Sequence, residues 1–195
     1  MHADHFIDLI PLRYALVYGT RVNERRIPVY LPGAGPDLLR RLVAAFERED
    51  GRDFLAAFDV RGYEPEDVLR FGSTTMRFAR ARHFIPGCAM RFETGNASLV
   101  FSGDTAPSQP IAALTSDATL LLCEASLATR EEHEPRGHLT AREAGELARV
   151  ARAGRLVITH YGVEADPVVL AGDARAAGFC GPIDVADDLD RFVVD

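Results

Sequence analysis

Six histidines are spread over 195 residues, and most of them stand where an apolar run gives way to a turn. His2, Asp4 and His5 form an H-x-D-H cluster, two imidazoles and a carboxylate within four positions. Such a set suits Zn²⁺, which prefers His nitrogen and carboxylate oxygen in near-tetrahedral groups. Read alone, it is equally a chain terminus that happens to carry histidines. Ser102-Gly103-Asp104-Thr105 follows a strand-like run, so Asp104 should project from a glycine turn at a strand's C-terminal end, where α/β folds collect ligands. Alone, a G-D-T sequence is only a turn. His160 ends the apolar run Leu156-Val157-Ile158-Thr159, and His83 lies close to Pro86 and Gly87. Each histidine taken singly reads as a structural one; four such placements together point to a metal centre. Glu124 closes another apolar run and His138 stands just before a helix cap, so a strand terminus and a loop histidine are their plainer readings. His133, in the charged stretch 130–136, fits no pattern and reads as a solvated loop residue.

The elements that must carry these groups follow from pattern. Residues 6–18 recur at helical spacing, with Asp4 placed as an N-cap and Pro11 expected to distort the helix. Residues 27–31 read as a strand; Pro32, Gly33 and Gly35 form a turn, and Pro36 opens a helix to about Glu49. Residues 50–73 are polar and mixed. Strands are expected over 74–84 and 97–101, separated by a turn around 93–96. Residues 118–123 form a short continuous apolar run of the kind buried in a covered sheet. Thr140 and Glu143 make a capping box for a helix lined by Ala144, Leu147, Ala148 and Val150 or Ala151, which should stop at Gly154. A buried strand over 156–158, a helix over 167–177 and strand-like runs over 183–186 and 192–194 complete the chain. Strands alternating with helices predict one α/β domain with layered sheets over residues 1–195.

Composition bounds the function. With 47% apolar and 26% charged residues the chain should fold as a globular domain. A formal net charge of -7 argues against an unaided nucleic-acid surface. The arginine clusters at Arg25 and Arg26, Arg40 and Arg41, and Arg77, Arg80 and Arg82 read as solvated faces. Cys88, Cys123 and Cys180 lack a C-x-x-C spacing and read as buried free thiols. No run is apolar for the ~18 to 20 residues a bilayer span needs, so a cytoplasmic protein without a membrane partner is expected.

The ordered series His2-Ala3-Asp4-His5, His83, Ser102-Gly103-Asp104-Thr105, Glu124-Ala125-Ser126, His138-Leu139-Thr140 and Thr159-His160 resembles the metallo-β-lactamase superfamily. Within it the chain is similar to the ribonuclease Z and phosphodiesterase branch. The resemblance covers essentially the whole chain and implies an αββα sandwich. It implies that His2, His83 and Asp104 hold one metal, that Asp4, His5, Asp104 and His160 hold a second, and that Asp104 bridges them. Two Zn²⁺ ions are implied, with Mn²⁺ or Fe as substitutes. A hydroxide shared between ions ~3.5 to 4 Å apart, oriented by Asp4, would attack a phosphodiester. His138 matches a histidine that would protonate the leaving oxygen, and Glu124 would position it or support the site.

Two departures qualify the resemblance. The first histidine of H-x-H-x-D-H is lacking, because Met1 stands where the residue between the two histidines belongs; the sandwich is expected to be N-terminally incomplete, through a late-assigned start or a truncation. In addition, only 21 positions run from His83 to Asp104, too few for the tRNA-gripping arm of the processing enzymes. Small phosphodiesters are therefore the expected substrates and tRNA is not, with self-association into a homodimer as the remaining partner. The alternatives are a thioester or lactone hydrolase of the same fold and an inactive metal-binding fragment.

Overall fold

The structure, a computed structural model, describes residues 2–18, 26–46, 52–129 and 135–195. The chain divides into two compact units, Met1–Glu64 and Pro65–Asp195.

In the first unit a single 3-10 turn, Ala3–His5, precedes helix α1, Leu9–Tyr18. The helix thus starts later than residue 6, and Asp4 lies in the preceding turn instead of capping it. Pro11 falls in the first turn of α1, where backbone N–H groups have no intrahelical carbonyl to bond, so it fits without a break. Strand β1, Ile27–Pro32, leads into α2, Gly35–Ala44, with Pro36 in its opening turn. The expected end near Glu49 lies outside the described residues. Leu39 and Val43, one turn apart on α2, are buried while Arg40 and Arg41 face solvent. Helix α3, Arg52–Ala57, then returns the chain to β2, Phe58–Tyr63, which pairs parallel to β1 from Ile27↔Phe58 to Pro32↔Tyr63. Leu31, Leu39, Val43, Phe54, Ala57 and Phe58 form the core of this unit.

The second unit is a seven-stranded sheet in chain order. Strands β3 (Val68–Phe71), β4 (Thr74–Arg80), β5 (Cys88–Thr94) and β6 (Ala97–Phe101) run antiparallel. Strands β7 (Leu120–Glu124), β8 (Arg155–Thr159) and β9 (Ile183–Val185) then extend the sheet parallel to β6. Stretch 50–73, whose pattern is polar and mixed, contributes α3, β2 and β3. The strand expected over 74–84 stops at Arg80, and β5, which the pattern did not announce, occupies residues 88–94. No strand forms over 192–194.

Helices α4 (Gln109–Thr115), α5 (Ala141–Val150) and α6 (Pro167–Ala176) flank this sheet. The Thr140–Glu143 capping box is complete, and α5 buries Ala144 and Ala148 against Val100, Leu121, Cys123, Leu156 and Ile158 of the sheet. Ala151, 2% exposed, continues that face; Val150, 54% exposed, does not. Cys88 and Cys123 are buried free thiols, and burial pushes the Cys123 thiol up to about 12. Cys180 corrects the expectation, because it is free but exposed. Arg26, Arg40, Arg41, Arg77, Arg80 and Arg82 are all exposed; Arg25 lies outside the described residues.

Candidate metal centre

The parallel strands β6, β7 and β8 lie side by side, so their C-terminal ends emerge at one edge of the second unit. Each delivers one chemical group there. After β6, the Ser102 hydroxyl accepts from Glu124 N (3.0 Å) and donates to Gly103 O (2.8 Å), which ties the turn to β7. Gly103 has φ +57°, and a Cβ there would sit 3.2 Å from the Cys88 carbonyl oxygen. Only glycine takes that turn easily, and it sends Asp104 out of the strand direction. Thr105 continues the bracing: its N–H donates to Glu124 Oε1 (2.7 Å) and its hydroxyl accepts from Arg82 N (3.1 Å).

That last bond holds the segment that carries His83. The His83 side chain is buried, and its Nδ1 lies 2.8 Å from Gly137 O. A carbonyl can only accept, so Nδ1 carries the proton and Nε2 keeps the lone pair a metal needs. Nε2 faces Asp104 Oδ2 at 3.8 Å. The other Asp104 oxygen, Oδ1, lies 3.5 Å from His160 Nδ1. One carboxylate thus addresses two imidazoles on different elements. His160 directly follows β8 with φ +51°, a left-handed conformation uncommon for a residue with a Cβ.

His138 completes the group. Its ring lies 4.9 Å from that of His83 and 5.8 Å from that of His160. Its Nδ1 is 3.0 Å from Glu124 Oε1, which leaves Nε2 as the available nitrogen. Glu124 is 1% exposed. Burial pushes its carboxyl above the usual range, against the opposing pull of the Thr105 and Ser126 N–H groups and of His138. Asp104, His138 and His160 each present one ligand atom within 4.8 Å of the others. The Asp104 carboxylate with the imidazoles of His83 and His160 is a donor set that could hold a divalent transition-metal ion, and His138, bonded to Glu124, stands beside it.

Five of the expected residues, His83, Asp104, Glu124, His138 and His160, therefore converge in the second unit. Asp4 and His5 lie in the 3-10 turn of the first unit and His2 directly precedes it; His5 Nε2 is 3.5 Å from Asp4 Oδ2 and the His2 and His5 rings are 6.5 Å apart. His133 lies outside the described residues. Pattern reading missed Arg136, whose buried guanidinium forks onto both oxygens of Glu143, Nη1 to Oε1 at 2.9 Å and Nη2 to Oε2. This pair fixes the approach to Gly137 and His138. The signal available was Glu143, whose role was read only as half of a capping box.

Comparison with known proteins agrees with this geometry. Residues 1–161 match the Beta-lactamase superfamily domain. The chain is 27% identical over 161 residues to the probable metallo-hydrolase YhfI of Bacillus subtilis, covering 82% of this chain and 62% of that protein. It therefore spans less than two thirds of that relative's length. It is 29% identical over 219 residues to a ribonuclease Z of Mycobacterium sp. (strain KMS), covering 100% of this chain and 75% of the relative. The crystal structure of the metallo-β-lactamase fold protein YhfI superposes with a TM-score of 0.82 at 25% identity, over 96% of this chain and 72% of that one. The short form of human tRNase Z shares the fold, with a TM-score of 0.68 at 19% identity over 95% and 74% of the two chains. Among the described residues no helix is long and apolar enough to cross a membrane. The strand-end cluster, the sheet that builds it and the match over residues 1–161 agree, and the chain belongs to the β-lactamase superfamily with the metallo-β-lactamase fold.

Proposed function

We propose that the protein is a metal-dependent phosphodiesterase acting on small phosphodiesters. What supports the reading is the pairing of a carboxylate shared between two imidazoles, Asp104 with His83 and His160, with a histidine backed by a buried glutamate, His138 on Glu124. The motif assigns His2, His83 and Asp104 to one Zn²⁺ and Asp4, His5, Asp104 and His160 to a second. When bound, such ions supply Lewis-acid polarisation of the ester and lower the pKa of a nucleophilic water toward neutrality.

The chain's own residues do the rest. Asp104 offers one oxygen toward each imidazole and so anchors both ligand groups. Glu124 accepts from His138 Nδ1 and stabilises the imidazolium, whose Nε2 proton passes to the departing alkoxide oxygen as the P–O bond breaks. The interval between His83 and Asp104 is filled by the β5–β6 hairpin and its two-residue turn. That supports a small phosphodiester over tRNA as substrate.

The two roles fail differently. Asp104→Ala should lose bound metal and all turnover. His138→Ala should keep its metal yet lose ~10²- to 10⁴-fold in phosphodiester turnover, the range typical of general acid catalysis. Metal analysis beside rate measurement on both variants decides the matter. Loss of metal from His138→Ala, or its full retention in Asp104→Ala, would overturn the assignment.

A further inference from the structure

Phe84 is 54% exposed, although it directly follows a buried histidine of the site. Lone exposed apolar residues are ordinary on protein surfaces, but this ring is held in place. One face of the ring covers the space where a Cβ on Gly137 would stand, with Cε2 2.3 Å, Cδ2 2.7 Å and Cζ 2.8 Å from that position. Its centroid lies 5.1 Å from the His83 ring and 6.3 Å from the His138 ring, the latter edge-on. One face of the ring is thus seated on the backbone of the His138 segment, while more than half of the side chain stays exposed beside the two imidazoles. Among the described residues its ring neighbours are His83 and His138.

We infer that Phe84 is a specificity-determining residue, a platform on which the site stacks a planar ring carried by its substrate. The inference rests on the phosphodiesterase reading. Because His138 protonates the leaving oxygen, a ring next to His138 meets the part of the substrate attached to that oxygen. In a small phosphodiester the planar group there is a nucleobase borne on the sugar. Stacking on an aromatic side chain tolerates any base, since every base offers a π-face.

The test compares substrates that differ only in the ring. Wild-type protein, Phe84→Leu and Phe84→Trp are assayed with adenosine 3′,5′-cyclic phosphate and with the same cyclic ribose phosphate lacking its base. Base–aromatic stacking is worth roughly 5- to 150-fold in affinity, so the wild type should favour the base-bearing ester by about that factor, mostly in KM. Phe84→Leu should lose the preference and Phe84→Trp should keep it. A second arm measures binding of adenosine monophosphate against ribose 5-phosphate by calorimetry, which needs no turnover. Wild type without preference, or Phe84→Leu with the preference intact, overturns the platform. If neither ester is cleaved but the binding preference follows the Phe84 variants, the platform stands and the phosphodiesterase reading falls. Thermal melting of each variant identifies a failure to fold, and the Phe84→Trp comparison then still decides between the outcomes.

Discussion

His160 carries an imidazole on a backbone conformation that glycine adopts more easily, φ +51° at the end of β8. For a residue with a Cβ the left-handed region costs roughly 1 to 2 kcal/mol, and strain of this kind is kept where a side chain is needed. His160→Gly should relieve it while adding about 1 kcal/mol of unfolded-state entropy. The metal-free variant is therefore expected to melt within a few degrees of wild type while binding less metal; a stability loss of several kcal/mol would show that the imidazole has a structural role instead. Glu124 makes a complementary case. Glu124→Gln keeps the size but removes the charge that stabilises the His138 imidazolium, and changes to groups supporting such sites typically cost about 10- to 100-fold in activity. A general acid acts in its protonated form, so a pH–rate profile whose alkaline limb is unchanged in Glu124→Gln would deny it that role. At this scale the chemistry was readable because residue type and order survive without coordinates. Proton placement was not, because the Nδ1 partner of His83 is a backbone carbonyl 54 positions away.

Between residue and fold stands the segment from Arg136 to the start of α5. Thr140 caps the helix, Glu143 closes the capping box, and Arg136 grips the same carboxylate, so His138 rides on a segment fixed at both ends. Burial alone would push the Glu143 carboxyl up, but the Arg136 fork and the Thr140 N–H and hydroxyl outweigh it and hold it below its ordinary value of 4.5. A group whose folded pKa is depressed contributes stability above its unfolded value and loses it as pH falls through the folded one. Arg136→Met should cost about 1 to 3 kcal/mol near neutrality by removing the two charge-assisted hydrogen bonds to a half-buried carboxylate. In denaturant titrations its deficit relative to wild type should shrink as pH drops below about 4.5, the value from which Glu143 departs. A deficit independent of pH would mean that lost packing, not charge, is responsible. The capping box was legible in sequence because its two members lie three residues apart and precede an apolar stripe. β5 was not, because its burial does not alternate and Arg91 in its middle reads as a surface residue. In the structure the Arg91 guanidinium bonds the carbonyls of Leu114 and Ser116, both at 2.9 Å, and the Ser98 hydroxyl at 3.2 Å. Those partners lie elsewhere in the chain, where no local pattern reveals them.

At the scale of the molecule, the mixed sheet of the second unit passes from antiparallel to parallel pairing at β6, and the groups with chemical potential leave it from β6, β7 and β8. The sequence order of the motifs mirrors that strand order, which is why the family was readable before any coordinates. The ligand roles of His2, Asp4 and His5 rest on the motif alone. A metal-dependent phosphodiesterase requires both that turnover depend on metal and that the bond broken be a phosphodiester. The most direct measurement strips the purified protein with a chelator, then follows bis(p-nitrophenyl) phosphate hydrolysis, with a thioester and a lactone in parallel, as Zn²⁺ is returned and bound metal is counted. Phosphodiester turnover should vanish on chelation and return in step with metal content. Turnover that survives complete metal removal, or a metal-loaded protein that cleaves only the thioester or lactone, would contradict the phosphodiesterase assignment.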